Sequence, residues 1–300
     1  MKILKAIAAI SLLFAPFFEI AAYEARDVLG RKFSFDTPPK AVALAPAMSE
    51  TICAVGAGEY LAGVSKYCKY PKILADTPGG AAIMECLAKK EVVGGFVDAD
   101  YEKILTLRPD VVVLQNTSAG FLPKKFESLG IRVFFLHPDG LENIAKNTEM
   151  IGALFGKDKE GAALAQKIRE ETADSGSWRR RPRAVFLFDN MSAGVETYAG
   201  RLLQNCGFYN VARGTKAPWA VLSKEFILAA KPEVLILQAD DEADFERKKA
   251  ILLRDRIWAK TPAAKSGSIF FIPTDLIITP SPRVVYAARH LRRLRESLGD

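Results

Sequence analysis

One fourteen-residue pattern occurs twice in this chain, and it strongly constrains the fold. The first copy, EKILTLRPDVVVLQ, covers residues 102–115, and the second, EFILAAKPEVLILQ, covers residues 225–238. Seven of the fourteen positions are identical. Each copy predicts a short helix, capped by Asp100 or Ser223, that ends before a proline. The apolar run that follows is typical of a strand buried on both faces.

Two further pairs of segments repeat in the same order, one before and one after this unit. Residues 40–44 resemble residues 183–187, and residues 133–136 resemble residues 269–272. Three repeated pairs in register indicate two lobes built on one plan. Strands that alternate with helical stretches predict an α/β fold, with two Rossmann-like lobes and largely parallel sheets.

The segment between the repeated halves predicts how the lobes are joined. Residues 141–155 form an amphipathic helical pattern, and residues 158–172 form a second helical stretch. No strand comes between the second stretch and Ala184, and this stretch is long enough to act as a single rigid connector helix, about 20 Å in length. We therefore predict an N-terminal lobe, a connector region and a C-terminal lobe, covering residues 23–140, 141–182 and 183–300.

The beginning of the chain has the features of an export signal. Lys2 and Lys5 form a basic start, residues 3–18 are largely apolar, and Ala21 and Ala22 offer a cleavage site. The apolar run is short for a membrane anchor and is followed by a glutamate. We therefore predict a cleavable signal peptide over the first 22 residues and a soluble protein in the bacterial periplasm.

Four cysteines in an exported chain favour at least one disulfide bond. Cys68 and Cys86 flank a loop rich in glycine and alanine, and we predict that these two residues form the bond. Cys53 lies in an apolar helical stretch and Cys206 opens a turn, so both are predicted to be buried thiols.

The sequence contains no recognisable catalytic or nucleotide-binding motif. It lacks a nucleophile elbow, a zinc-protease motif and a phosphate-binding loop, and its two histidines are His137 and His290. The basic residues are dispersed, apart from the RRRPR run at 179–183, which argues against nucleic acid as a partner. The formal net charge of +7 favours encounter with anionic ligands or surfaces. We predict no enzyme, no cofactor and no metal site, but a clamp that binds a ligand between its lobes.

Motifs along nearly all of the chain resemble the cobalamin- and ferric-siderophore-binding proteins of ABC importers. In that class, the helical-backbone or class III binding proteins, one long helix joins two α/β lobes. The matching stretches, besides both copies of the repeat, are VLGR at 28–31, KAVALAPAMSE at 40–50, GAG at 56–58, GVSKYCKYP at 63–71, VGGF at 93–96, APWAVLSKE at 217–225 and PSPR at 280–283. The resemblance implies a monomeric periplasmic substrate-binding protein that serves an inner-membrane permease with a cytoplasmic ATPase.

The resemblance also implies roles for individual residues. Glu102 and Glu225 fall at the positions where each lobe of the family docks on arginines of the permease. Each could instead do no more than stabilise its helix dipole, since both lie in the first turn of a predicted helix. The residues expected to contact the ligand are Tyr67, Phe96, Trp219 and Asp275, with Met48, Met191, Tyr198 and Leu276 as further wall residues.

Two departures from the family pattern bear on the ligand. Thr279 stands where well-known cobalamin binders have an arginine, and Phe96 replaces a tryptophan. The neutral stretch 276–279 fits a corrinoid better than a tri-anionic catecholate complex, and the long loop 72–90 could cover one side of the pocket. We therefore predict a corrinoid, cobalamin or cobinamide-like, with a ferric siderophore or haem as the alternative, so that cobalt or iron is part of the transported ligand.

Two functions from other classes remain open at this point. An exported enzyme could use the same cleft, although Asp275 alone does not supply both a base and a nucleophile. A sensory module could pass its liganded state to a membrane receptor by means of the same clamp.

Overall fold

The computed structural model describes residues 23–96, 98–116 and 121–299. The predicted signal peptide, residues 1–22, lies outside the described residues. The described chain forms two α/β lobes, each built around its own sheet, which confirms the predicted fold class. No helix in these three segments combines the length and the apolar character that a bilayer crossing requires.

The first lobe is built on a parallel sheet and is preceded by an antiparallel hairpin of β1 (Tyr23–Arg26) and β2 (Lys32–Phe35). Its sheet strands are β3 (Ala41–Ala43), β4 (Leu61–Val64), β5 (Glu91–Val92), β6 (Val111–Gln115) and β7 (Arg132–Leu136). They lie in the order β5-β4-β3-β6-β7, and all of their pairings are parallel. The helices are α1 (Pro46–Ala54), α2 (Gly80–Ala88), α3 (Tyr101–Leu107) and α4 (Phe121–Ser128).

The second lobe repeats this plan with an antiparallel edge. Its strands are β8 (Arg183–Phe188), β9 (Met191–Ala193), β10 (Tyr209–Asn210), β11 (Trp219–Ala220), β12 (Val234–Ala239) and β13 (Ile269–Pro273). The order is β11-β9-β8-β12-β13. Strands β8, β12 and β13 are parallel, β9 pairs antiparallel with both of its neighbours, β8 and β11, and β10 pairs parallel with the start of β8. The helices are α7 (Tyr198–Asn205), α8 (Lys224–Ala230), α9 (Glu242–Arg254), α10 (Arg256–Ala259), α11 (Pro262–Ser266), α12 (Thr274–Ile277) and α13 (Val284–Ser297).

The repeated sequence folds into the same substructure in both lobes. The side chain of Asp100 accepts a hydrogen bond from the N–H three residues later at the start of α3, and Ser223 does the same at the start of α8. Both helices have seven residues and end at a basic residue in the left-handed region, with φ of 48° at Arg108 and 44° at Lys231. Each helix leads into a central strand, β6 or β12, buried on both faces as predicted.

An equivalent carboxylate also links the repeated segments within each lobe. Asp110, just before β6, accepts a hydrogen bond of 2.7 Å from the backbone N–H of Lys40. Glu233, at the corresponding place before β12, accepts one of 3.0 Å from the N–H of Arg183. The exchange of Asp110 for Glu233 therefore preserves a hydrogen bond in both lobes. This bond links the start of the first sheet strand, β3 or β8, to the start of the central strand, β6 or β12.

Two helices connect the lobes, α5 (Leu141–Leu154) and α6 (Asp158–Thr172), and they pack against each other. They approach so closely that a Cβ atom added at Gly152 would lie 2.9 Å from Gly161 Cα. The start of α5 packs into the second lobe, whereas its end, including Ile151, packs into the first. The predicted connector α6 therefore does not stand alone, because α5 runs beside it and contacts both cores.

The predicted disulfide bond between Cys68 and Cys86 is wrong. Cys86 bonds instead to Cys53, with a Cα–Cα distance of 6.2 Å, and Cys68 and Cys206 are buried free thiols. The supposed loop contains α2, which packs against α1 and places Cys86 beside Cys53. Cys68 lies near the Ser65 hydroxyl, with 3.1 Å between its sulfur and that oxygen.

Candidate functional site

A cleft between the lobes is lined by the segments that follow the carboxyl ends of the parallel strands, where α/β folds usually bind ligands. One part of this interlobe cleft has a volume of about 510 Å³. Its lining residues are Ala45, Pro46, Ala47, Lys66, Tyr67, Lys69, Gln115, Asp275, Ile278, Thr279, Pro280 and Arg283. Residues 45–115 of this set belong to the first lobe and residues 275–283 to the second, so the ligand space is shared.

A second part of the cleft, of about 340 Å³, adjoins the first. It is lined by Gln115, Asp139, Phe188, Met191, Tyr198, Trp219, Ile277, Ile278 and Pro280. Gln115, Ile278 and Pro280 line both parts, which makes the cleft continuous. The combined space suits a bulky ligand rather than a single small ion.

The wall contributed by the second lobe is aromatic. Trp219 is held in β11, which pairs with β9, and its ring meets the ring of Phe188 edge-on at a centroid distance of 5.7 Å. Tyr198 lies at the start of α7, and burial raises the pKa of its hydroxyl. The backbone N–H of Tyr198 donates a hydrogen bond of 3.2 Å to Asp139, which follows the last strand of the first lobe. This contact ties the aromatic wall to the opposite lobe.

The wall contributed by the first lobe carries cations and one exposed ring. Tyr67 is 57% exposed, and Lys66 Nζ lies 5.3 Å from the centre of its ring. Lys66 also donates a hydrogen bond of 2.5 Å to Asp98, which lowers the pKa of that carboxyl and raises the pKa of the lysine. Lys69 is exposed, and no ion pair of the described residues includes it. Lys69 is thus the wall cation available to an anionic group of a ligand.

A buried ion pair joins the lobes at the base of the cleft. The guanidinium of Arg283 donates two hydrogen bonds to the Glu50 carboxylate, one from Nε at 3.0 Å and one from Nη2. Ser281 donates a further bond of 2.7 Å to Glu50, and Arg283 Nη1 donates one of 2.6 Å to the backbone oxygen of Asp275. The two charged side chains are 1% and 3% exposed, and burial raises the pKa of Glu50. Glu50 lies on α1 of the first lobe, so this pair fixes one lobe against the other.

Five of the eight predicted ligand contacts line the cleft, namely Tyr67, Trp219, Asp275, Met191 and Tyr198. Met48 and Leu276 do not, because each points from a short helix into a core and is only 1% and 6% exposed. Phe96 is half-buried against the first-lobe core and does not line either part of the cleft. Ile277 and Ile278, next to Leu276, provide the wall at that point instead.

Several residues that line the cleft were not predicted from the sequence. Gln115 is the last residue of the first repeat copy, and Phe188 is the last residue of β8. The rule that ligands bind at strand carboxyl ends would have identified both. Glu50 and Arg283 each lay in a family-like motif, but nothing local indicated that residues 233 positions apart form a pair.

The two glutamates of the repeat, Glu102 on α3 and Glu225 on α8, are exposed to solvent. Each lies at the second position of its helix, where a negative charge favours the helix dipole. Interaction with the backbone and with Ser223 lowers the pKa of Glu225. None of the described ion pairs includes Glu102 or Glu225.

The described residues contain no group of three or more His, Cys, Asp or Glu side chains that could hold a metal ion. His290 lies in α13, and its Nε2 atom is 2.9 Å from the backbone oxygen of Phe271. This hydrogen bond links α13 to β13 and gives the histidine a structural role.

The chain resembles known proteins in both sequence and fold. A family model described as "Periplasmic binding protein" matches residues 42–276. The vitamin B12-binding protein of Vibrio parahaemolyticus is 26% identical over 261 residues, which cover 83% of this chain and 86% of the relative. Among solved structures, the periplasmic vitamin B12-binding protein BtuF of Vibrio cholerae has a TM-score of 0.66 at 21% identity, covering 88% of this chain and 100% of that one. The periplasmic haem-binding protein BhuT, solved with two haems, has a TM-score of 0.69 at 20% identity, covering 87% and 99%. The structural likenesses show the two-lobed fold.

Proposed function

The chain belongs to the periplasmic binding protein family, and we propose that it captures a corrinoid in the interlobe cleft and delivers it to an ABC importer. Members of the family are substrate-binding proteins, so the expectation of a binding protein rather than an enzyme is confirmed. The proposed setting is the periplasm, after removal of residues 1–22, with the protein acting as a monomer. The proposed partner is an inner-membrane permease with a cytoplasmic ATPase.

The observation that carries this proposal is the contrast between the two walls of the cleft. The second lobe offers a broad apolar and aromatic surface around Trp219, which suits the face of a corrin macrocycle. Of the lining cations, Lys66 is bound to Asp98 and Arg283 to Glu50, so a tri-anionic catecholate complex would lack the charges needed to offset its desolvation. A relative named as a vitamin B12-binding protein supports the same choice.

Haem is the second candidate, and one observation favours it. The hydroxyl-bearing ring of Tyr67 is exposed in the cleft and could ligate a haem iron, and a protein of similar fold is named as a haem binder. Lys69, on the same wall, could then contact a propionate. A corrinoid such as cyanocobalamin or dicyanocobinamide needs no axial ligand from the protein, because its cobalt already carries axial ligands.

Calorimetric titration of the purified mature protein distinguishes these ligands. We expect heat of binding with cyanocobalamin or dicyanocobinamide and none with a ferric hydroxamate. Preference for cyanocobalamin would indicate contact with its phosphodiester, and Lys69→Gln should then remove that preference, whereas Lys72→Gln, outside the cleft lining, should not. Suppose that the wild-type protein binds haemin but neither corrinoid, and that Tyr67→Phe no longer binds haemin. This result would contradict the corrinoid proposal and favour haem as the ligand.

The docking role of Glu102 and Glu225 is also a proposal, supported by their exposure, their equivalent positions in the two lobes and their lack of a described ion pair. Charge reversal at both residues should abolish corrinoid uptake by cells while leaving the calorimetric affinity unchanged. Normal uptake by that double variant would exclude these glutamates from docking.

A further inference from the structure

Each glutamate of the repeat shares its exposed helix face with a leucine. Leu105 follows Glu102 by three residues and Leu228 follows Glu225 by three, and side chains three apart on a helix are neighbours. Leu105 is 41% exposed and Leu228 is 44% exposed. Single exposed leucines are ordinary on protein surfaces. A leucine exposed to the same extent at the same place in both lobes is a repeated feature of the surface.

The lysine next to each glutamate forms an ion pair with a different carboxylate. Lys103, next to Glu102, pairs with Glu91 at 3.1 Å. Lys224, next to Glu225, pairs with Asp255 at 3.2 Å. In both lobes the adjacent lysine is therefore bound to a different carboxylate.

The two helices hold these side chains in fixed positions. The opposite face of each helix is anchored in a core by an isoleucine, Ile104 or Ile227, which is 0% or 3% exposed. The caps and the left-handed ends described above fix the length of both helices. A rigid acidic and apolar pair is thus presented once by each lobe.

We propose that Leu105 and Leu228 are part of the permease-docking surface, each packing into an apolar depression beside the basic side chain that its glutamate contacts. This inference rests on the proposed function, since it names a further part of the docking site. The duplication fits a membrane partner that presents two equivalent basic and apolar sites. Charge complementarity through the glutamates sets the direction of approach, and the leucines lose their exposed apolar area only when docking is complete.

The test uses the permease–ATPase complex of the same organism's corrinoid importer, reconstituted in lipid nanodiscs and immobilised for surface plasmon resonance. The leucine variant Leu105→Gln with Leu228→Gln should weaken binding at least tenfold, mainly through faster dissociation. The control is Ile73→Gln, because Ile73 is 58% exposed and lies outside both repeat helices and the residues paired with them. It should bind as wild type does.

Salt dependence separates the apolar from the ionic contribution. Screening weakens exposed charge pairs, so Glu102→Gln with Glu225→Gln should reduce the dependence of affinity on salt concentration. The leucine variant should keep the wild-type salt dependence at a lower affinity. Its corrinoid affinity and its urea midpoint should be unchanged, which excludes misfolding as the cause.

The outcomes distinguish this inference from the proposed function. If the glutamate variant loses binding and the leucine variant binds normally, the leucines are not part of the docking surface, although the proposed docking remains. If wild-type protein binds a corrinoid but not the nanodiscs, or if both variants bind normally, the assignment of this surface to the permease is overturned.

Discussion

The buried pair of Glu50 and Arg283 makes a quantitative prediction about how the lobes are held together. Replacing Arg283 with methionine removes two hydrogen bonds to the carboxylate and one to the backbone oxygen of Asp275. Glu50 is then left 1% exposed with Ser281 as its remaining described donor. Removing one member of a buried ion pair typically costs about 3–5 kcal/mol. We expect Arg283→Met to lower the free energy of unfolding by about 4 kcal/mol at pH 7.

The loss should depend on pH in a defined direction. Burial raises the pKa of Glu50, and removal of the guanidinium should raise it further. A carboxyl whose folded-state pKa exceeds its unfolded value favours the folded state at low pH, and this advantage is lost as pH rises through the folded pKa. Arg283→Met should therefore be closer to wild type at pH 5 than at pH 8.

Urea unfolding followed by far-ultraviolet circular dichroism at both pH values provides the measurement. The control is the double variant Glu50→Met with Arg283→Met, in which no buried charge remains, and it should recover most of the loss. A double variant no more stable than Arg283→Met, or a cost below about 1 kcal/mol for Arg283→Met, would refute the reasoning.

Three further predictions concern the thiols and the aromatic wall. Changing Cys53 and Cys86 to serine removes a disulfide bond between residues 33 positions apart. By the loop-entropy estimate, the free energy of unfolding measured by urea denaturation should fall by about 4 kcal/mol. An unchanged urea midpoint would contradict this. Burial raises the pKa of Cys206 to about 12, so iodoacetamide at pH 8 should label it only after unfolding, as mass spectrometry can check. Trp219→Ala should weaken corrinoid binding at least tenfold by calorimetry while Trp258→Phe, outside the cleft lining, should not; equal affinities would remove Trp219 from the site.

The parts of the fold set by local signals were predictable from sequence. The caps at Asp100 and Ser223 and the prolines after α3 and α8 act within a few residues, so the repeat gave the correct order of helix and strand in both lobes. The length of the helical stretch 158–172, with no strand before Ala184, predicted α6 as a connector. It could not show that α5 contacts both cores, because that depends on where the two lobes lie.

The errors arose where distant segments meet. Bonding of Cys53 to Cys86 depends on how α2 packs on α1, which the spacing of cysteines does not determine. Met48 and Leu276 are buried because helices of nine and four residues are too short for an apolar pattern to fix which face turns inward. Trp219 lines the cleft, where a ligand contact was expected, and its part in binding stays a prediction.

A crystal structure of the mature protein with cyanocobalamin would show directly whether the interlobe cleft is the ligand site. We expect density for the corrin ring in the interlobe cleft, in contact with Trp219 on one side and with Tyr67 on the other. A corrinoid bound elsewhere, such as the crevice of about 170 Å³ that Leu164 and Tyr286 line behind the ion pair, would contradict it. An empty cleft in protein saturated with ligand in solution would do the same.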